Sequence, residues 1–549
     1  MTARIRLACL GLLLGAALPS EVSLAADLRS QVPGNPFAYI PPQCWSRTRD
    51  VAGTVHNPCY TCHVAAPEPN YVRDEDLQLS YDFAASAARN PWTNLFVDRR
   101  PAMAGLTDAD ILAYVRTDNL HGPDGTIELA QRLESVPPEW DVNGDGAWSG
   151  YRPDVWFAFD GQGFDRDPSG RRTGWRAYAY KPLPGAFWPT NGSADDVAIR
   201  LPAAFRERAD GTPDDSIYAL NLAVLESLIT RSDVPIPASD ERPLGVDLDR
   251  DDALGTADRV AFVFDPRHGI TMSWIGRAKS ELDAGRVHLA ALLFPEGTEF
   301  VHSVRYLDVL PDGRVVPAAR LKELRYARKA GWRTYTTLMQ EAQQETKEAF
   351  GNPDQPERFF GNIESGVANG KGWRLQGFIE AADGSLRPQS YEESLTCAGC
   401  HGAIGRGVDS VISFPRKLAA DLSSDGWFPW STERPLGALQ DRDGEYARYL
   451  RDNLAADEFR ANDEAWRRFL DPAGMLDPEK LAGLQDRIAP LVEPSSERAL
   501  ALNKAYRLLV AEQSFTKGRL AVLEPLDATL HRYVEPETPT GVTSAVRAY

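Results

Sequence analysis

The spacing of hydrophobic positions changes several times along the chain, and the changes divide it. An apolar run from Leu7 to Leu18 follows Arg4 and Arg6 and ends near Ser23-Leu24-Ala25. That order of charge, apolar stretch and small residues reads as a secretory signal over residues 1–26, cleaved near Ala25 or Ala26. The run falls short of the ~20 apolar residues that a spanning helix needs. Farther on, Thr107 stands as an N-cap before Ile111, Leu112 and Val115, which share one helical face. Residues 136–310 show dense turn signals and short β-rich runs, among them Val260 to Phe264 and Phe300 to Val309. Helical spacing returns over 311–430 and dominates beyond about 440. There Tyr446, Tyr449 and Leu450 share a face, as do Leu502, Ala505, Tyr506 and Leu509 behind the start signal Pro494-Ser495-Ser496. The pattern predicts an α+β multidomain chain. Mainly α-helical units lie at 27–135 and 311–430, around a β-rich middle segment at 136–310, with a helical region at 431–549.

The cysteines give the helical units a chemistry. Cys59-Tyr60-Thr61-Cys62-His63 and Cys397-Ala398-Gly399-Cys400-His401 both match C-x-x-C-H, the c-type haem attachment signature. Two thiols at this spacing on one turn can each form a thioether with a haem vinyl group. The following histidine then reaches the iron as proximal ligand. A thioredoxin-like thiol pair needs no trailing histidine, and a zinc site built from the four thiolates leaves both histidines without a role. The expectation is two haem c groups held by Cys59, Cys62, Cys397 and Cys400, with His63 and His401 on the irons. The units at 27–135 and 311–430 are then c-type haem units. In the first, the motif is followed by a Met-containing loop and a helix, which resembles a class I cytochrome c unit.

The other face of each iron decides between electron passage and small-molecule chemistry. His302 falls on the apolar face of Phe300, Val304 and Tyr306 in an alternating strand, and it competes as a distal ligand with His56, Met103 and Met475. Each of these also has a plainer role, as a satisfied core residue, a loop cap or packing. Cys44 is expected as an inert thiol and His121 as a turn residue. Trp373, Trp427, Phe428 and Trp430 gather near the second motif as packing around an apolar macrocycle.

A second chemistry lies between the motifs. Asp247, Asp249, Asp251 and Asp258 occupy positions 1, 3, 5 and 12 of an EF-hand-like calcium loop, with Asp252 where glycine is usual. Asp141, Asn143 and Asp145 begin the same pattern, but Arg152 stands at its twelfth position. Calcium is therefore expected at the first loop and, with an outside acid such as Asp154 or Asp160, at the second.

Charge narrows the partners. A formal charge of −18 over 549 residues repels nucleic acid and suits a basic redox partner. No later segment is apolar enough to span a membrane, and no Ser-His-Asp order, phosphate-binding glycine loop or H-E-x-x-H motif appears. With the stretch Gly185-Ala186-Phe187-Trp188-Pro189-Thr190-Asn191-Gly192-Ser193, the two motifs make the chain resemble large exported bacterial dihaem c-type cytochromes. That resemblance implies a periplasmic or otherwise exported protein passing electrons to and from a redox protein or small molecule. A peroxidase-like haem oxidoreductase, with one low-spin and one catalytic haem, is the alternative, and a redox-sensing or scaffold protein is the third.

Overall fold

A nine-stranded antiparallel sheet organises the computed structural model. The structure describes residue 28, residues 33–35 and residues 37–546, apart from 51, 67, 73, 181–182, 185–188, 403, 412–438, 442 and 455–461. The expected signal, the stretch 185–188, Trp427, Phe428 and Trp430 lie outside the described residues. The strands are β1 (Phe164–Arg166), β2 (Arg172–Ala177), β3 (Ala194–Arg200), β4 (Glu299–Val309), β5 (Val315–Lys329), β6 (Phe360–Asn362), β7 (Gly366–Ala368), β8 (Trp373–Glu380) and β9 (Leu386–Pro388). They run in the order β6-β7-β8-β5-β4-β3-β2-β1, with β9 paired to β8. The sheet thus takes strands from both sides of residue 310.

Register determines what each face presents. Cross-strand partners place Val197, His302, Arg325 and Gly377 in one row, and Ile199, Phe300, Ala327 and Leu375 in the row two residues along. Residues two apart on a strand share a face, so both rows look the same way. Ala198, Val301, Leu324 and Phe378 point oppositely, into a core with Trp140, Trp148 and Trp175. Both faces of the central strands are covered, so polar and apolar side chains are buried alike and the strands lack the strict alternation that marks a half-exposed strand.

The expectation of mainly helical haem units around a β-rich middle is corrected here. Residues 33–69 are rich in proline, and the first motif sits on a single 3-10 turn, Pro58–Thr61, among other short turns and two-residue strands. Proline lacks the N–H that a helix interior needs. The second stretch opens on the fifteen residues of β5 and contributes β6 to β9 before any motif helix. Helix α1 (Asp108–Arg116) does have the capping box at Thr107 and Asp110. Its Ile111 and Val115, however, pack with Tyr306 and Tyr506 at the far end of β4, not beside the motif. Helix α2 (Asp215–Thr230) is N-capped by Asp214; α3 (Tyr391–His401) and α4 (Ser496–Glu512) follow, and a further long helix, Tyr335–Gly351, lies between β5 and β6.

The segment around residue 531 packs against the turns of the first hundred residues. The backbone N–H of His531 donates to Trp45 O at 2.8 Å, and its ring meets Tyr81 edge-on at 5.2 Å. Burial, then the nearby Arg47, holds its imidazole down to about 4. The folded ring is therefore neutral where the unfolded one, near 6.5, is already charging. Its contribution to stability is complete above pH 6.5 and is lost as pH falls towards 4. His531→Phe should flatten that part of the thermal-melting profile, measured from pH 7 to 4. An unchanged slope would remove His531 as its cause.

Candidate functional site

The first motif is built by a local start signal. Asn57 caps the turn, its side-chain oxygen accepting from Cys59 N at 2.9 Å, and Pro58 supplies the preset backbone angle. Cys62 N and His63 N both donate to Cys59 O, at 3.0 and 2.7 Å, which closes the two thiols and the imidazole onto one turn. Asp74 then fixes the ring. Its carboxylate lies 2.8 Å from His63 Nδ1 and accepts from Val64 N at 3.1 Å and Gly405 N at 3.2 Å. Burial pulls the His63 imidazole down, but the hydrogen bonds of Asp74 and Cys44 outweigh it and bring it to about 9.

The second motif ends helix α3, which follows directly from β9. Ser390 and Glu393 form a capping box at its start, and Glu393 also holds Arg387 through paired contacts of 2.8 Å. Glu392 reaches across the chain to the proline-rich lead, accepting from Tyr39 Oη at 2.6 Å and Gly34 N at 2.7 Å. A Cβ on Gly399, inside the motif, would stand 2.0 Å from Tyr39 O, so the lead lies directly on the motif. Beyond the helix, Asn369 donates to the carbonyls of His401 and Ser410 at 3.1 and 3.0 Å. Lys329 and Asp409, both fully buried, pair at 2.6 Å.

The two motifs, 338 residues apart in the chain, line one cavity of about 540 Å³. Its floor is the sheet face carrying Val197, Phe300, His302, Arg325, Ala327 and Leu375, and its walls bear Cys59, Cys62, His63, Cys397, Cys400 and His401. Burial pushes the thiols up, Cys62 to about 11 and Cys400 to about 12. Burial likewise holds His401 down to about 4, helped by Arg325 and His302. Its Nδ1 is buried with no hydrogen-bond partner among the described residues. Among the described residues, the only three His, Cys, Asp or Glu side chains whose ligand atoms all lie within 4.8 Å of one another are Glu241, Asp247 and Asp249. The cavity's thiols and imidazoles therefore surround a space instead of meeting at a point. This arrangement suits a broad apolar group anchored at its edges better than a single zinc ion.

The remaining candidates separate cleanly. His302 lies on the cavity floor, its Nε2 2.6 Å from Asp195 Oδ2. Cys44, expected as inert packing, lines the cavity beside Cys59 and His63. His56 is outside the cavity lining, with its Nε2 3.0 Å from Asp50. Met103 packs with Ile111 and Val115, and Met475 is 51% exposed; neither lines the cavity. His121 is held in its turn by Asp118 at 2.8 Å. In the acidic loop, Asp258 is 82% exposed on its strand and Asp251 caps Ala253 N at 2.9 Å. Asp247 and Asp249 are joined instead by Glu241. In the other loop, Asp141 caps Gly144 N and Gly146 N at 2.7 and 2.9 Å, while Asn143 and Asp145 bond each other. That turn is satisfied internally. Sequence reasoning missed Asp74, Arg325 and Glu241, which no local spacing ties to their sites. The Ser390-Glu393 box was a readable signal.

A family model described as "-like lipoprotein" matches residues 28–489. An "Uncharacterized lipoprotein" of Aquifex aeolicus (strain VF5) is 30% identical over 543 residues, covering 90% of this chain and 87% of the relative. No solved structure matches. The resemblance to dihaem c-type cytochromes, and with it the classification as a cytochrome c, is corrected by these matches, which name lipoproteins. A lipoprotein family is one of exported proteins. Among the described residues no helix is long and apolar enough to cross a membrane.

Proposed function

The chain belongs to this lipoprotein family, and from that premise and the shared cavity we propose an exported, periplasmic protein that attaches two haems side by side and passes electrons between them and a redox partner. The observation that carries the proposal is that both C-x-x-C-H motifs open onto one apolar cavity. Haem bound there supplies one-electron chemistry at iron. The chain's own residues anchor and orient it. Cys59 and Cys62 would hold one haem and Cys397 and Cys400 the other, His63 and His401 would offer their imidazoles to the irons, and Asp74 fixes the His63 ring. The sheet floor excludes water through Phe300, Val197 and Leu375. His302 is the distal candidate that lies on this floor. The net charge of −18 favours a partner with a basic face, whose association weakens as salt rises. An electron paramagnetic resonance spectrum of the oxidised full chain tests the function. Two low-spin six-coordinate signals agree with electron passage, whereas a high-spin signal that shifts on adding peroxide favours a peroxidase-like oxidoreductase.

The acidic loop carries a second proposal, a calcium ion held by Glu241, Asp247 and Asp249, with Glu241 in the part expected of Asp258. Burial raises the Asp249 carboxyl, and Asp251 and Glu241 raise it further, a repulsion that a cation relieves. Calcium should raise the melting temperature of the full chain after chelation, and Glu241→Gln should abolish the rise. A melting temperature indifferent to calcium would end this proposal.

A further inference from the structure

The two proximal histidines sit in opposite electrostatic settings. His63 faces an anion: its Nδ1 is 2.8 Å from the Asp74 carboxylate, which is itself 9% exposed. The nearby guanidinium of Arg406 is engaged with Glu445 at 3.3 Å. His401 has no such partner, since its buried Nδ1 finds no acceptor among the described residues. Two guanidinium groups lie near it among the described residues: Arg325 and Arg519, both cavity-lining, each contact the carboxylate of Glu323 at 2.9 Å. Arg519 also donates to Thr396 Oγ1 at 3.1 Å, directly before the second motif. The neighbouring Arg387 and Glu393 neutralise each other.

From this asymmetry we infer that the haem pair is polarised, the Cys59–His63 haem being the low-potential member and the Cys397–His401 haem the high-potential one, so that electrons run from the first motif to the second. The inference rests on the haem reading of the cavity. A carboxylate accepting from a ligating imidazole gives it imidazolate character and raises its basicity, which stabilises ferric iron. A buried guanidinium in a low-dielectric setting instead stabilises the more electron-rich ferrous state. With both haems bound, one electron would pass from the first to the second with no bond made or broken, so that the oxidation of one balances the reduction of the other. Asp74 is in this sense a positioning residue. Because it also accepts from Gly405 N, it ties the orientation of His63 to the segment that follows the second motif.

Potentiometric titration of the full chain with both haems attached, followed at the haem absorption bands, tests the inference. Two separated reduction steps are expected. Asp74→Asn should move the lower step upward and leave the upper one in place. Arg325→Gln should move the upper step downward and leave the lower, with Arg325→Lys restoring it. Should Asp74→Asn fail to fold by circular dichroism, the Arg325 pair decides alone. Asp74→Asn moving only the upper step, or Arg325→Gln moving only the lower, would overturn the assignment. So would steps that stay fixed in folded variants. A parent chain whose intact mass contains no haem overturns the underlying site reading instead, and the two failures are thus distinguished.

Discussion

Asp409→Asn is expected to destabilise the fold by about 3–5 kcal/mol, the usual cost of removing one partner from a buried ion pair. Asp409 and Lys329 are both fully buried, with 2.6 Å between them, and Asp409 also accepts from Phe294 N at 3.0 Å. Burial pushes the Asp409 carboxyl up, and the lysine and the hydrogen bonds pull against that push. Asp409 stands in the left-handed region at φ 51, which asparagine tolerates as well as aspartate does, so the substitution changes charge and leaves backbone strain unchanged. What it leaves behind is an ammonium group in the core without its anion. Lys329→Met combined with Asp409→Asn should recover most of the loss, because the pair as a whole contributes little against apolar replacements. Chemical denaturation of the two single variants and the double variant measures this coupling. Parent-like stability in Asp409→Asn, or a double variant weaker than that single one, would contradict it.

The pair also shows where the sequence could be read and where it could not. Thr107, the strand over Phe300 to Val309 and the shared faces of Tyr446, Tyr449 and Leu450 and of Leu502, Ala505, Tyr506 and Leu509 are local signals, and they appear as a cap, as β4 and as buried faces. The fold class was misread because β5 is buried on both faces over much of its length and lacks the alternation that marks a half-exposed strand. Over 27–135 the motif and the Thr107 helix suggest a helical unit, but Pro41, Pro42 and Pro58 leave short turns there instead of a helix. The motifs were legible as chemistry. Their meeting in one cavity was not, since it depends on Asp74, Asn70 and Glu392 bonding partners more than 300 residues away.

Gly405→Ala should separate the motifs and carries the second large effect. A Cβ there would lie 2.3 Å from Val64 O, 2.5 Å from Asp74 Oδ1 and 2.9 Å from Val64 N. Two of those atoms are backbone, and the third accepts from Val64 N on the same carboxylate whose other oxygen meets His63 Nδ1, so moving it disturbs both contacts. Overpacking of this kind costs about 1–3 kcal/mol, occasionally more. The functional consequence should exceed the thermal one. Displacing Asp74 frees the His63 ring, and displacing Val64 opens the seam that Asn70 closes by donating to Ile404 O at 2.7 Å. A haem attached at Cys59–His63, as proposed, should show altered ligation in its absorption spectrum while the chain still melts cooperatively. An unchanged spectrum with an unchanged melting temperature would mean that the seam is not needed.

Intact-mass spectrometry of the full chain, produced with c-type haem attachment machinery, tests the central claim most directly. Two covalently bound haems are predicted for the parent. One is predicted for Cys59→Ala with Cys62→Ala, and one for Cys397→Ala with Cys400→Ala. A parent chain at its unmodified polypeptide mass would contradict the claim.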